Sequence, residues 1–150
     1  MIAKITTWIL LASGSGARIV ANDGVGHGIG PVEGAVFTHD AKRDSDVYAD
    51  RQGRVHDRYG PGRHAAERRT DGRTQDREAF AAELAGYLAK AGERQAYDRL
   101  ILIAEPSFLG LLRKAITGPA ADRIVGEIAK DLGRAETDEL VEALSEHIAV

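Results

Sequence analysis

The sequence predicts one α/β domain built on a mixed β-sheet. Three features predict it. The first 38 residues hold three short β-branched and apolar runs joined by glycine-rich links, the pattern of an antiparallel meander. Leu100 to Ala104 is an unbroken apolar run of strand length, as found in strands buried on both faces of a parallel sheet. Apolar residues at helical spacing flank that run on both sides. A length of 150 residues fits a single domain spanning 1–150, and a chain of that size buries roughly 68–70% of its unfolded surface, enough for one core.

Lys4 to Ala12 reads as the first strand. Its opening has the outline of a signal peptide, but the apolar part is short and broken by Thr6 and Thr7, which favours a buried strand. No stretch approaches the ~18 apolar residues of a membrane span, so no membrane insertion is expected. Ser13 to Gly16 is a turn, and Ala17 to Ala21 completes a hairpin. Asn22 to Pro31 carries Gly24, Gly26, Gly28 and Gly30 and reads as a flexible connection. Val32 to Thr38 is the third strand, with Gly34 as a possible bulge. Thr74 caps a helix running to about Ala91, with Phe80, Leu84, Leu88 and Ala91 on one face and Tyr87 beside them. Asp76 and Glu78 then fall in the first turn, and Gly92 is the stop.

Tyr97 to Ala104 is the next strand. Glu105, Pro106 and Ser107 open a helix through about Ile116, and Gly118 with Pro119 ends it. Ile124 to Leu132 is ambiguous: Ile124, Ile128 and Leu132 fit a helix, whereas Ile124 and Val125 after a helix fit a strand. Thr137 caps a last helix with Leu140, Val141, Leu144 and Ile148 on its apolar face. With Ile124–Leu132 as a strand, the order is β-β-β-α-β-α-β-α, a mixed sheet with right-handed helical crossovers.

Charge is unevenly distributed along the chain. Arg51 to Arg73 holds seven Arg, three acids and two His, about +4 in a chain of net charge -3. It has no apolar periodicity, and four Gly and one Pro read as irregular backbone, so 39–73 is expected to be an extended basic loop. From Ala120 to Val150 there are eight acids against three bases. The pI of about 5.9 argues against binding of nucleic acid by the whole surface, but not by the basic segment. With no cysteine, disulfides and thiolate metal sites are excluded, which suits a cytoplasmic protein.

Arg presents a planar fork suited to phosphate, and Gly lets the backbone approach a ligand. The candidate ligand- or RNA-binding residues are therefore Arg51, Arg54, His56, Arg58, Tyr59, Gly60, Gly62, Arg63, His64, Arg68 and Arg69, with Tyr59 and the imidazoles able to stack on bases. The competing reading is a solvated segment, or one paired with Asp57, Glu67, Asp71 or the acidic C-terminal helix. His56, Asp57 and His64 are candidate acid–base groups, and His39-Asp40 forms a similar pair, but loop spacing gives them no fixed geometry. No metal site and no cofactor are expected. Gly14 and Gly16 lack the third glycine of a dinucleotide fingerprint, Gly24 to Gly30 lacks a P-loop Lys, and Ser13 has no nucleophile-elbow context. Trp8 and Tyr97 read as core or interface aromatics.

Thr6 to Asp23, His39-Asp40, Asp50 to Asp71, Tyr97 to Ile116 and Glu127 to Gly133 together resemble the bacterial host-attachment protein family, most specifically at Gly53 to Asp57 and Gly62 to Ala65. The resemblance implies a fold similar to the middle domain of archaeal and eukaryotic peptide-release factors, which is ribonuclease-H-like, and so makes Ile124–Leu132 the last strand. In release factors the long excursion after the third strand ends in Gly-Gly-Gln. Here Tyr59 to His64 has no Gly-Gly pair and no Gln, so peptidyl-tRNA hydrolysis is not implied. Nor does the first strand supply the acid that a two-metal nuclease needs. The expectation is a non-enzymatic, cytoplasmic module that engages RNA or the ribosome through the Arg/Gly/His segment, with an indirect role in attachment. The alternatives are a direct adhesion or protein-interaction factor, including a homodimer, and a hydrolase of peptidyl-tRNA or a phosphoester using His56, Asp57 and His64.

Overall fold

The structure is a computed structural model and describes residues 4–13, 15–38 and 61–150; within 61–74 it describes the backbone alone. The elements are β1 (Thr7–Ser13), β2 (Gly16–Asn22), β3 (Gly30–Thr38), α1 (Pro61–Glu93), β4 (Arg99–Ala104), α2 (Pro106–Ala115), α3 (Gly118–Asp122), β5 (Ile124–Ile128) and α4 (Thr137–Leu144). The five strands form one sheet in the order β3-β2-β1-β4-β5. β1–β2 and β2–β3 are antiparallel, and β1–β4 and β4–β5 are parallel. The expected mixed sheet is therefore present.

The period of two along the central strands builds two cores. Trp8, Leu10 and Ala12 of β1 join Leu100, Leu102 and Ala104 of β4 on one face. Over them lie Phe80, Ala81, Leu84, Leu88 and Ala91 of α1 and Phe108, Leu109 and Leu112 of α2. Ile9, Leu11, Ile101 and Ile103 point the other way, beneath Leu140 and Leu144 of α4 and Ile148. Arg18 of β2 lies at the edge of this second face and fastens the connection before α4: its Nε donates to the Gly133 carbonyl at 3.1 Å and its Nη2 to the Ala135 carbonyl at 2.8 Å.

β1 is the expected first strand, central and buried. The expected bulge in β3 is real: Arg18 pairs with Val36 and Val20 with Pro31, so residues 32–35 face Ile19 alone, and Gly34 takes φ +75° there. The Gly24–Gly30 connection is more constrained than its composition suggests. Buried Asn22 donates from Nδ2 to the carbonyls of Gly24 and Gly28 at 3.0 and 2.6 Å, and its Oδ1 accepts from the Gly24 N–H at 3.0 Å.

Several expected boundaries are corrected. α1 is 33 residues long and begins at Pro61, not after a cap at Thr74, so 61–73 is helical backbone rather than loop. Proline fits the first helical position because its missing N–H is one of the orphans there. No acid falls in the true first turn, so Asp76 and Glu78 lie in the interior. Gly92 does not stop the helix. The helix closes with Ala96 N–H to the Ala91 carbonyl and Gln95 N–H to the Gly92 carbonyl, with Gln95 left-handed at φ 57°, the paired bonds of a Schellman end. Gly92 instead serves packing, since a Cβ there would lie 3.2 Å from both Arg123 Nη1 and Tyr97 Oη.

α2 closes at Ala115 with Ile116 as its cap, and Gly118 and Pro119, expected to end it, instead begin another helix, α3, with Gly118 at φ +65°. The ambiguous segment is a strand over Ile124–Ile128, with Leu132 beyond it. Thr137 is the first residue of α4, and Glu136 occupies the cap position without a side-chain bond.

Candidate functional site

The sheet changes direction of travel between β1 and β4. From β1 the chain turns to β2 on one side; from β4 it crosses through α2 and α3 to β5 on the other. In open α/β sheets the crevice at the carboxyl ends of such a strand pair is the usual ligand position. Here that edge is made by Ser13 at the end of β1 and Glu105 after β4, since Ala12 and Ala104 are register partners.

α1 reaches the same edge. It needs only residues 94–98 to turn into β4, so it runs back along the sheet toward the end of that strand. Arg77 marks its arrival. Its Nη2 lies 2.7 Å from Glu105 Oε1 and donates at 2.7 Å to Ser107 Oγ, and the guanidinium sits 5.8 Å from the centre of the Phe108 ring. Phe80, the first core residue of the helix, meets Phe108 at 5.8 Å. Ser107 Oγ also lies 3.5 Å from Glu105 Oε1. Ser13 Oγ is bonded locally, to Ser15 Oγ and to the Gly16 carbonyl.

Beyond Arg77 the helix continues N-terminally through 61–76, about 24 Å at 1.5 Å per residue. Of the candidate binding residues, Gly62, Arg63, His64, Arg68 and Arg69 lie on this arm. Arg51, Arg54, His56, Arg58, Tyr59 and Gly60 lie outside the described residues, as do Asp57, His39 and Asp40. Of the acid–base candidates His56, Asp57 and His64, only the backbone of His64 falls within the described residues. Among the described residues no group of three or more His, Asp or Glu is placed to hold a metal ion. Glu105, a carboxylate at the crevice, is paired with Arg77.

The acidic C-terminal helix lies on the other side of the sheet. α1 belongs to the core that contains Trp8 and Leu102, and α4 to the core that contains Ile9 and Ile101. The sheet stands between the basic arm's helix and α4.

Away from this edge, the aromatic residues form a continuous stack. Trp8 lies 4.9 Å from Tyr97 and 6.1 Å from Tyr87, and Phe37 meets Tyr87 edge-on at 5.0 Å. Tyr97 Oη donates to the Leu88 carbonyl at 2.8 Å, and Arg123 sits 5.1 Å over its ring while donating to the Tyr97 carbonyl. Burial pushes the Tyr97 phenol above its ordinary pKa of 10.0, with Arg123 pulling the other way. Trp8 and Tyr97 are core, as read from the sequence, and Phe37 and Tyr87 are half-buried against them.

Arg77 was not among the sequence candidates. It stands outside the dense basic run, and only the tertiary fold places it against Glu105.

The architecture defines a class: an α/β domain whose longest helix carries a basic arm past the carboxyl edge of a mixed sheet. The family described as "Protein required for attachment to host cells" matches residues 8–144, and the chain belongs to that family. Comparison with curated proteins gives no match. No helix among the described residues is long and apolar enough to cross a membrane.

Proposed function

We propose that this host-attachment family protein is a non-enzymatic, cytoplasmic RNA-binding module, resembling the middle domain of peptide-release factors, and that its part in attachment is indirect. The sheet order β3-β2-β1-β4-β5, antiparallel through β1–β3 and parallel through β1, β4 and β5, supports a ribonuclease-H-like reading and with it that comparison. The observation that carries the reading is the arm: the Arg-bearing segment continues α1 past the Arg77–Glu105 contact, on the sheet face away from the acidic α4. Arg63, Arg68 and Arg69 in the sequence of this helix suit a phosphate backbone, and imidazole and aromatic side chains are of the kind that stack on unpaired bases.

The test is binding to a single-stranded RNA oligonucleotide over a salt series. Replacing Arg63, Arg68 and Arg69 with Ala together should weaken binding and lower the slope of log K against log salt by about 0.7 per lost phosphate contact, roughly 2 in all. Wild-type protein with no salt-sensitive RNA binding would sink the proposal. Affinity capture from lysate with and without ribonuclease then separates RNA from protein partners.

A further inference from the structure

Arg77 is built differently from a ligand-binding arginine. Its guanidinium turns inward: one nitrogen serves both Glu105 and Ser107, the plane lies near the Phe108 ring, and its Nε is buried without a partner among the described residues. The side chain is 30% exposed. It sits three residues before Phe80, so it is the last described side-chain anchor of α1 to α2 before the arm leaves the core. Phe80 and Phe108 beneath it tie the same two helices together.

A polar tether at that point does little for global stability, since exposed or part-exposed ion pairs contribute about 0–1 kcal/mol. Its leverage is angular. A helix of sixteen residues, 61–76, extends from it, and an isolated helix of that length containing Gly62 and Gly72 is marginal in water. Whatever holds its base sets its direction and gives its first turn a fixed template.

We infer that Arg77 and Glu105 are positioning residues for polyanion binding: their pair clasps the base of the basic arm to the start of α2 and so pre-organises the arm. This rests on the RNA reading above and adds a role for two residues that would not touch the RNA. Pre-organisation raises affinity by removing ordering cost at the moment of binding.

The sign of one substitution separates this from simple charge balance. Glu105→Ala removes an acid beside a basic segment, so electrostatics alone predicts tighter RNA binding. The clasp predicts weaker binding, about threefold or more, with an unchanged salt slope because no phosphate contact is lost. Glu127→Ala is the control. Glu127 pairs with Arg113 at 2.6 Å, on β5 and α2 rather than at the arm, and its loss should leave binding equal or slightly tighter. Amide hydrogen exchange in the free protein gives a readout without RNA. Glu105→Ala should speed exchange over residues 65–76 and leave 80–91 unchanged.

Tighter binding by Glu105→Ala, or unchanged exchange over 65–76, overturns the inference while the RNA reading stands. Absence of salt-sensitive binding by the wild type overturns the RNA reading, and exchange alone then decides whether the clasp exists.

Discussion

At the scale of single residues, Tyr97 shows how one side chain joins several elements. It lies just before β4, its ring stacks on Trp8 of β1, its hydroxyl reaches the Leu88 carbonyl of α1, and its backbone carbonyl accepts from Arg123 beside β5. Tyr97→Phe keeps the stack and deletes the hydroxyl, so it should cost about 1 kcal/mol near neutral pH. The pH dependence has a definite sign. Burial raises the phenol's pKa in the folded chain above 10.0, so above pH ~10 the unfolded chain releases a proton that the folded chain keeps. The stabilisation tied to that proton is complete below pH ~10 and is lost as pH rises through the folded value. Denaturant midpoints measured near pH 8 and pH 11 should therefore converge for wild type and Tyr97→Phe. A gap that widens with pH would contradict the assignment.

At the scale of elements, the two ends of α1 were hidden from the sequence for different reasons. The apolar spacing Phe80, Leu84, Leu88, Ala91 marks only the half that meets the sheet. The rest has no stripe to read, and Gly60, Pro61, Gly62 and Gly72 looked like breakers. The missed signal was propensity: Ala65, Ala66, Glu67 and the flanking Arg63, Arg68 and Arg69 are good helix formers, and Pro61 suits a first turn. The short helix α3 escaped because Gly118 and Pro119 read as a stop although the same pair begins a helix. The strands were legible because β-branched runs bounded by glycine have few alternatives. Ile124–Ile128 was the exception: five residues are too short for periodicity to decide.

The C-terminal end of α1 makes its own prediction. Gln95 holds a left-handed conformation at the position where helices most often place glycine. Left-handed backbone costs a residue with a Cβ roughly 1–2 kcal/mol, part of which glycine returns through greater freedom in the unfolded chain. Gln95→Gly should therefore stabilise the protein by about 0.5–1 kcal/mol, read as a higher denaturant midpoint with unchanged slope.

At the scale of the whole molecule, the sheet works as a partition. One face carries α1 and the arm, the other α4, and each has its own core. The sequence showed a basic segment and an acidic tail but not whether they meet, because that depends on which face each helix takes. α4 covers Ile9, Leu11, Ile101 and Ile103, opposite α1, which leaves its exposed acids pointing into solvent on the far side. Charges separated by more than about 8–10 Å through solvent are largely screened at physiological salt. Neutralising Glu139, Glu142 and Glu146 to Gln should thus shift RNA affinity by less than about twofold at 0.15 M salt, with the salt slope unchanged. In low salt the same variant should bind slightly tighter, because the net charge of -3 then acts over a longer range. An increase of tenfold at physiological salt would mean that the acidic helix competes with RNA for the arm, and that the two faces communicate around the sheet.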